Sequence, residues 1–319
     1  MIKKLTGLTA SLVALTSVAH AEVKINDYLS LDGYATGAGV VTEGTPAKDK
    51  VLVDSANVYD SALFAVNGKY KDFTARVSLY TVNASKNGVA EDSGILDAYV
   101  TYKTGNIAIT GGQYLGWLGY ESFHSVNNAF ISFSQATYAS PYATGAKIEY
   151  LSDAFSTGVS VRDSQVAPTG SFFNGDGEYS DDIGYEAYFM YTGIKGFTLF
   201  AGAGYEDVDG GDQVNTWDVW ASYAVTDKVT LAAEVASKEE ATNYTWLTQV
   251  SYAVSSDLSV AGRLTGSDGD NGAADAFGYG VASTYTLSKN FAVKGEITKL
   301  DSDGGADTFS YALQGIFKF

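Results

Sequence analysis

Hydrophobic and polar residues alternate along almost the whole chain after residue 22. In residues 197–205, for example, Phe197, Leu199 and Ala201 share one parity. Alternation with period two is the pattern of β-strands whose two faces meet different surroundings. It therefore predicts an all-β protein with many strands. The sixteen predicted strands are residues 23–37, 57–69, 72–83, 94–103, 106–116, 143–151, 155–163, 181–192, 196–206, 214–224, 228–237, 244–254, 257–265, 276–287, 290–299 and 307–319.

Short and long connections alternate between these strands. Tight turns such as Tyr70-Lys71 and Val225–Lys228 are separated by longer loops, of which 117–142 is the longest. All three prolines fall in long loops, where they disturb no strand ladder. This arrangement is typical of a transmembrane antiparallel up-and-down β-barrel. With both ends of the chain at the tight-turn end, the strand number is even; sixteen fits best, within a range of about fourteen to eighteen.

A soluble β-sandwich is the alternative, since its strands alternate too. Two features favour the barrel. Charges within strands, such as Arg162 and Asp218, lie opposite the aliphatic face, and aromatic residues such as Tyr223 lie near strand ends. Aromatic girdles at the lipid–water interfaces predict that placement. Asp27 and Asp60 break the parity, so we expect irregularity in the first two strands.

The first 21 residues have the pattern of a secretory signal peptide. Lys3 and Lys4 precede an apolar stretch, and Ala19-His20-Ala21 forms a cleavage site. We therefore expect removal of residues 1–21, leaving residues 22–319 as one barrel domain in a bacterial outer membrane. Of the two histidines, only His124 lies in that part of the chain.

The composition excludes several classes of protein. Acidic residues outnumber basic ones 37 to 20, and loss of two lysines with residues 1–21 gives a net charge of 18 − 37 = −19. A nucleic-acid partner needs clustered Lys and Arg, so none is expected. The absence of cysteine excludes disulfides, Cys-ligated zinc and iron–sulfur clusters. No cofactor is predicted. A mean hydropathy of -0.03 is too polar for a bundle of membrane helices.

A barrel of sixteen strands is too wide for its own side chains to fill, so it encloses an aqueous channel. The loop 117–142 is rich in aromatic, Ser and Asn residues and carries one formal charge, Glu121. Such an apolar loop is poorly suited to free solvent, and we predict that it folds into the lumen as a constriction. The alternatives are a cap over the barrel mouth or a contact between subunits.

Charged residues at lumen parity are the candidates for ion selectivity, because a lipid-facing Arg costs about 2–4 kcal/mol at mid-bilayer. In the alternative interpretation they only pair with one another along the wall. Aromatic residues share this parity and could stack on sugar rings, or simply stiffen the wall; they are Tyr28, Tyr80, Tyr99, Tyr188, Phe200 and Trp220. The candidate pore-lining or constriction residues are Arg76, Asp97, Glu121, His124, Lys147, Glu149, Arg162, Glu186, Arg263 and Lys294.

Two stretches carry a resemblance to known families. The last strand alternates from Phe309 to Phe319 and resembles the terminal strand of bacterial outer-membrane barrels, which implies recognition of Phe319 by the barrel-insertion machinery. Residues 111–123, GGQYLGWLGYESF, are similar to the OmpL-like family of β-barrel porins. The whole architecture resembles the general diffusion porins, which implies a homotrimer. Their Pro-Glu-Phe-Gly-Gly loop motif is absent, and this chain has only three arginines.

Acidic tracts lie in the long loops, where they would face outer-membrane lipid and lipopolysaccharide. Asp207, Asp209 and Asp212 form one tract that could hold a divalent cation, since oxygen ligands suit Ca²⁺. The spacing matches no EF-hand, and solvated acidic loops are the simpler interpretation.

The sequence predicts a porin that passes ions and small hydrophilic solutes by diffusion, with a mild cation preference that follows from its negative charge. The alternatives are a substrate-selective porin, for example for carbohydrate, and a non-conducting structural or adhesin barrel. An enzyme is not expected. Serine hydrolysis would have to use His124 beside Ser122 or Ser125.

Overall fold

The computed structural model describes residues 22–43, 61–82, 92–134, 142–163, 183–207, 213–239, 242–269, 274–303, 305 and 307–319. Sixteen strands, β2 to β17, pair antiparallel with their neighbours in chain order, and β17 pairs with β2 to close a barrel. A further two-residue strand, β1, pairs antiparallel with the start of β2. The strands are β1 (Val23–Lys24), β2 (Leu29–Glu43), β3 (Ser61–Tyr70), β4 (Phe73–Val82), β5 (Asp92–Thr104), β6 (Ile107–Leu115), β7 (Tyr142–Leu151), β8 (Phe155–Arg162), β9 (Ile183–Tyr191), β10 (Phe197–Asp207), β11 (Val214–Ala224), β12 (Val229–Lys238), β13 (Thr242–Ala253), β14 (Leu258–Gly269), β15 (Ala276–Ser288), β16 (Phe291–Ser302) and β17 (Thr308–Lys318).

The wall is apolar outside and charged inside, the reverse of the arrangement in a soluble protein. Apolar side chains on the outer face are among the most exposed: Leu79, Val159, Val281 and Leu313 are 57%, 57%, 59% and 61% exposed. Charged side chains of the inner face, such as Glu186, Asp218 and Lys294, are buried. Alternation of lipid-facing and lumen-facing residues along each strand produces this inversion. The predicted all-β transmembrane barrel of sixteen strands is confirmed.

The C-terminal residue closes the barrel. Phe319 exchanges two backbone hydrogen bonds with Gly33, of 2.9 and 3.0 Å. A Cβ atom at Gly33 would lie 2.7 Å from the Phe319 ring and 2.2 Å from the Leu63 carbonyl oxygen. The ring of Phe319 lies 6.3 Å from that of Phe64 on β3. Glycine at position 33 therefore gives the terminal phenylalanine its place against β2 and β3.

The start of the barrel differs from the prediction of one strand over 23–37. Residues 25–28 form a bend between β1 and β2, and β2 then continues to Glu43. Asp27 lies in that bend and pairs with Lys24 at 2.8 Å, which explains its break from the strand parity. Asp60 lies outside the described residues. So does the predicted signal peptide, residues 1–21.

Helical structure within the described ranges is limited to one turn, the 3-10 helix Ser125–Asn127 between β6 and β7. Over those same ranges no helix suited to crossing a membrane is present.

Candidate functional site

The loop between β6 and β7 lies inside the barrel, as predicted. Its described part, residues 116–134, is called the third loop below. Phe130 and Ile131 are fully buried in it, and Leu118, Tyr120 and Val126 are nearly so. These side chains pack against lumen-facing apolar residues of the wall in four clusters. A loop of low charge thus buries its apolar residues within the lumen rather than in solvent.

Carboxylates of the wall form a first clamp by accepting hydrogen bonds from the main chain at the start of the third loop. Asp218 of β11 accepts the Gly119 N–H at 2.7 Å, and Glu234 of β12 accepts the Tyr120 N–H at 2.5 Å. Gly119 has a φ of 110°, a conformation that favours glycine. Burial raises the pKa of the Tyr120 hydroxyl, and the neighbouring Glu121 and Glu234 charges raise it further. This tyrosine therefore stays protonated.

A second clamp holds the far half of the loop. Glu296 of β16 accepts the N–H groups of Ile131 at 2.5 Å and Ser132 at 3.1 Å. Arg263 of β14 donates to the Ser132 carbonyl oxygen at 2.9 Å and to Glu121 at 2.6 Å. Both side chains are buried, and so are Glu121 and Ile131, to which they bind. A buried polar group without a hydrogen-bond partner is costly, so these contacts stabilise the loop in its place.

Two buried lysines hold the middle of the loop around the 3-10 turn. Lys294 of β16 donates to the carbonyl oxygens of Ser125 at 3.0 Å and Asn128 at 2.6 Å. Lys318 of β17 donates to the carbonyl oxygen of Val126 at 3.3 Å. The ammonium groups thus donate hydrogen bonds to the loop backbone and are not exposed to the lumen.

Three stacked aromatic rings form the wall beneath the start of the loop. Tyr188, Phe200 and Trp220 follow one another across β9, β10 and β11 with centroid distances of 5.8 and 5.3 Å. Trp117 and Tyr120 of the loop cover the outer two rings. These aromatic residues pack the loop and are not open to a passing sugar.

Gly202 of β10 makes room for the loop. A Cβ atom there would lie 2.5 Å from Cδ2 of Leu118. The close approach of Leu118 therefore depends on the absence of a side chain at position 202.

His124 contacts the side chains of several tyrosines. Its Nδ1 is 2.9 Å from the Tyr34 hydroxyl and its Nε2 is 3.2 Å from the Tyr142 hydroxyl. The Ser122 hydroxyl accepts the backbone N–H of His124 at 3.2 Å. Both ring nitrogens therefore lie within hydrogen-bond distance of a tyrosine hydroxyl.

Three further ion pairs lie on the wall outside the clamps. Lys147 and Glu149 on β7 are 3.5 Å apart, with both side chains 15% exposed. Arg76 on β4 is 22% exposed and contacts Asp32 at 2.7 Å and Asp97 at 3.1 Å. The walls are named below as the clamped wall, β9–β17, and the facing wall, β4–β7.

The ten candidate residues thus separate by environment. Lys147, Glu149 and Arg76 keep access to the lumen, and His124 is partly buried. Arg162 forms a pair of 2.6 Å with Glu186 in which both side chains are 0% exposed. The buried candidates are Asp97, Glu121, Arg162, Glu186, Arg263 and Lys294.

Several charged residues of the clamps and of the Arg76 network were not among the candidates. All of them follow the strand parity of the lumen, which is the signal that could have found them. They are Asp32, Asp218, Glu234, Glu296 and Lys318.

The weak metal candidate lies mostly outside the described residues. Asp207 ends β10, while Asp209 and Asp212 lie outside the described residues. Within the described ranges, no group of three or more potential metal ligands comes together.

Comparison with known proteins gives one family and a fold. Residues 54–314 match the family model described as "Putative beta-barrel porin-2, OmpL-like". The fold is similar to that of OmpF of Salmonella typhi, solved as a complex with daunomycin (21% identity, TM-score 0.68, covering 93% of this chain and 100% of that chain). It is also similar to OprB of Pseudomonas putida, solved at high pH (12%, 0.65, 92% and 94%), and to OmpT of Vibrio cholerae (11%, 0.62, 93% and 100%). No curated protein matches the chain.

Proposed function

We propose that this chain, which belongs to the family described as "Putative beta-barrel porin-2, OmpL-like", forms a passive channel. Ions and small hydrophilic solutes would cross the outer membrane through it by diffusion. A porin-like channel of the outer membrane is what the family and the fold have in common. The observation that carries the proposal is the loop in the lumen. Charged side chains of the clamped wall bind its main chain, and its apolar residues also pack on β4 and β5, whereas Arg76, Lys147 and Glu149 of the facing wall keep part of their surface exposed as the lining of a water path.

We propose that Arg76, Lys147 and Glu149 line this path, and that the remaining candidates fix its width by holding the loop or the wall. The exposed charges are paired locally, so their fields largely cancel at a distance. Selectivity then follows the overall negative charge, and a mild cation preference is expected. Transport by diffusion involves no chemical step.

Planar bilayer recording tests the proposal. Purified protein should give stepwise ion currents in KCl, and a KCl gradient should give a reversal potential of the sign expected for weak cation preference. A barrel that inserts without step currents would be a structural or adhesin barrel. A reversal potential of the opposite sign would overturn the charge argument alone.

Four further properties belong to the same proposal. Residues 1–21 act as a signal peptide, which leaves 22–319 as one barrel domain, and Phe319 is recognised during insertion. The acidic loops face lipopolysaccharide. The porin resemblance supports a homotrimer, which analytical ultracentrifugation in detergent would test.

A further inference from the structure

A cavity of about 410 Å³ lies at the short-turn end of the barrel. It is called the vestibule below. The N-terminal segment 22–30 forms one side, and side chains of β3, β4 and β5 form the other. Because Arg76 and Tyr99 have lumen parity on the facing wall, the vestibule lies in line with the proposed water path. Its volume is in the range of small-molecule sites, about 300–1,000 Å³.

The polar side of the vestibule is a rigid network around Arg76. The guanidinium donates to Asp32 at 2.7 and 3.0 Å, to Asp97 at 3.1 Å and to the Asn67 side-chain oxygen at 2.8 Å. Asn67 in turn donates to Asp32 at 2.5 Å. Two carboxylates offset the arginine charge and fix its plane. The network therefore offers oriented polar groups and no excess of positive charge.

The N-terminal segment has a defined conformation at the cavity. Asn26 accepts the N–H groups of Tyr28 and Leu29 at 2.8 and 2.9 Å, which closes the bend. The Lys24 ammonium group forms an ion pair with Asp27, and the Lys24 backbone pairs with that of Ser30. This bend places Tyr28 on the cavity wall.

Tyr28 and Tyr99 are the lumen-parity aromatic residues that the third loop does not use. Tyr80, Tyr188, Phe200 and Trp220 are buried in the clusters beneath that loop. In contrast, Tyr28 is 59% exposed, and both Tyr28 and Tyr99 line the vestibule. Aromatic faces beside planar hydrogen-bonding groups suit a ring that has apolar C–H faces and a rim of hydroxyls.

We propose that the vestibule is a binding site for an uncharged sugar of one or two rings, held while it passes the channel. The ring would stack on Tyr99 or Tyr28, and Asn67, Arg76 and Ser30 would meet its hydroxyls. A neutral ligand is favoured over an anion because these groups carry no excess of positive charge: Glu22 and Asp27 oppose Lys24 and Lys69 in the lining, and Asp32 and Asp97 behind it more than offset Arg76. The inference rests on the proposed function for its transport role only.

The test is a maltose titration of the channel current, with binding measured in parallel by calorimetry on the protein in detergent. Wild-type current should fall along a saturable curve, whereas a polyethylene glycol of equal size should lower it linearly. Tyr99→Leu should raise the midpoint about tenfold, and Tyr99→Phe, which keeps the ring, should change it little. Lys69→Gln should weaken binding slightly, whereas Lys103→Gln at the same end should have no effect, since Lys103 is outside the cavity lining.

The two proposals fail in different ways. Step currents in KCl with a linear maltose response and no calorimetric binding would overturn the vestibule and keep the porin. Calorimetric binding sensitive to Tyr99→Leu, without step currents, would keep the site and overturn the channel. Saturable block by gluconate but not by maltose would overturn the neutral-sugar assignment.

Discussion

The clamped wall and the facing wall both present charged side chains to the lumen, but these charges contact different partners. On the clamped wall, Arg263 and Glu296 bind the main chain of the third loop and are buried. On the facing wall, Lys147 binds Glu149 and both stay partly exposed. A charge removed from water needs a partner of good geometry, whereas an exposed one is stabilised by solvent. The first set therefore holds the third loop, and we propose that the second lines the water path.

The largest expected effect is at Arg263. Arg263→Ala would leave Glu121 without its buried cation and Ser132 without its donor, at a cost of about 3–5 kcal/mol. The loop should loosen, so single-channel conductance should rise and the thermal unfolding temperature in detergent should fall.

Replacing both partners provides the matched control. Glu121→Gln with Arg263→Met should recover part of the lost stability, because no unpaired charge remains. Conductance and unfolding temperature both equal to wild type in Arg263→Ala would show that the pair does not hold the loop.

A smaller effect is expected where the loop approaches the wall most closely. Gly202→Ala should destabilise the protein by about 1–3 kcal/mol, because the new methyl group would meet Leu118 in a packed region. Gly37→Ala is the matched control, since a Cβ atom there meets nothing within 4 Å. Equal unfolding temperatures for the two variants would contradict the close approach.

The smallest effect on stability, and the clearest on selectivity, is expected at the facing wall. Lys147→Gln should increase cation preference and Glu149→Gln should decrease it, seen as opposite shifts of the reversal potential in a KCl gradient. Stability should change by less than about 1 kcal/mol for this partly exposed pair. Shifts of the same sign would place these residues outside the water path.

Strand positions and the two faces of the wall were predictable from local sequence. The alternation in residues 197–205 identified both, because lipid excludes charge from one face and water allows it on the other. The first strand was the exception. The bend around Asp27 depends on the Asn26 side chain accepting backbone N–H groups, a local contact that the period-two pattern does not contain.

Entry of the third loop into the lumen was also predictable, since its aromatic residues and single formal charge disfavour solvent. Its attachment was not. Arg76 and Arg263 have the same residue type and the same lumen parity, but one pairs within the wall and the other binds the loop.

By itself, the sequence determined an all-β barrel with an apolar outer face, a charged lumen and a loop suited to its interior, because each depends on residues close together along the chain. Which charges are clamped and which remain exposed was decided only by the tertiary structure. Glu121 and Arg263 are 142 positions apart, and barrel closure brings them within 2.6 Å. The position of a residue in the strand alternation predicts that its side chain faces the lumen. The partner that the side chain contacts there depends on which strands the third loop crosses.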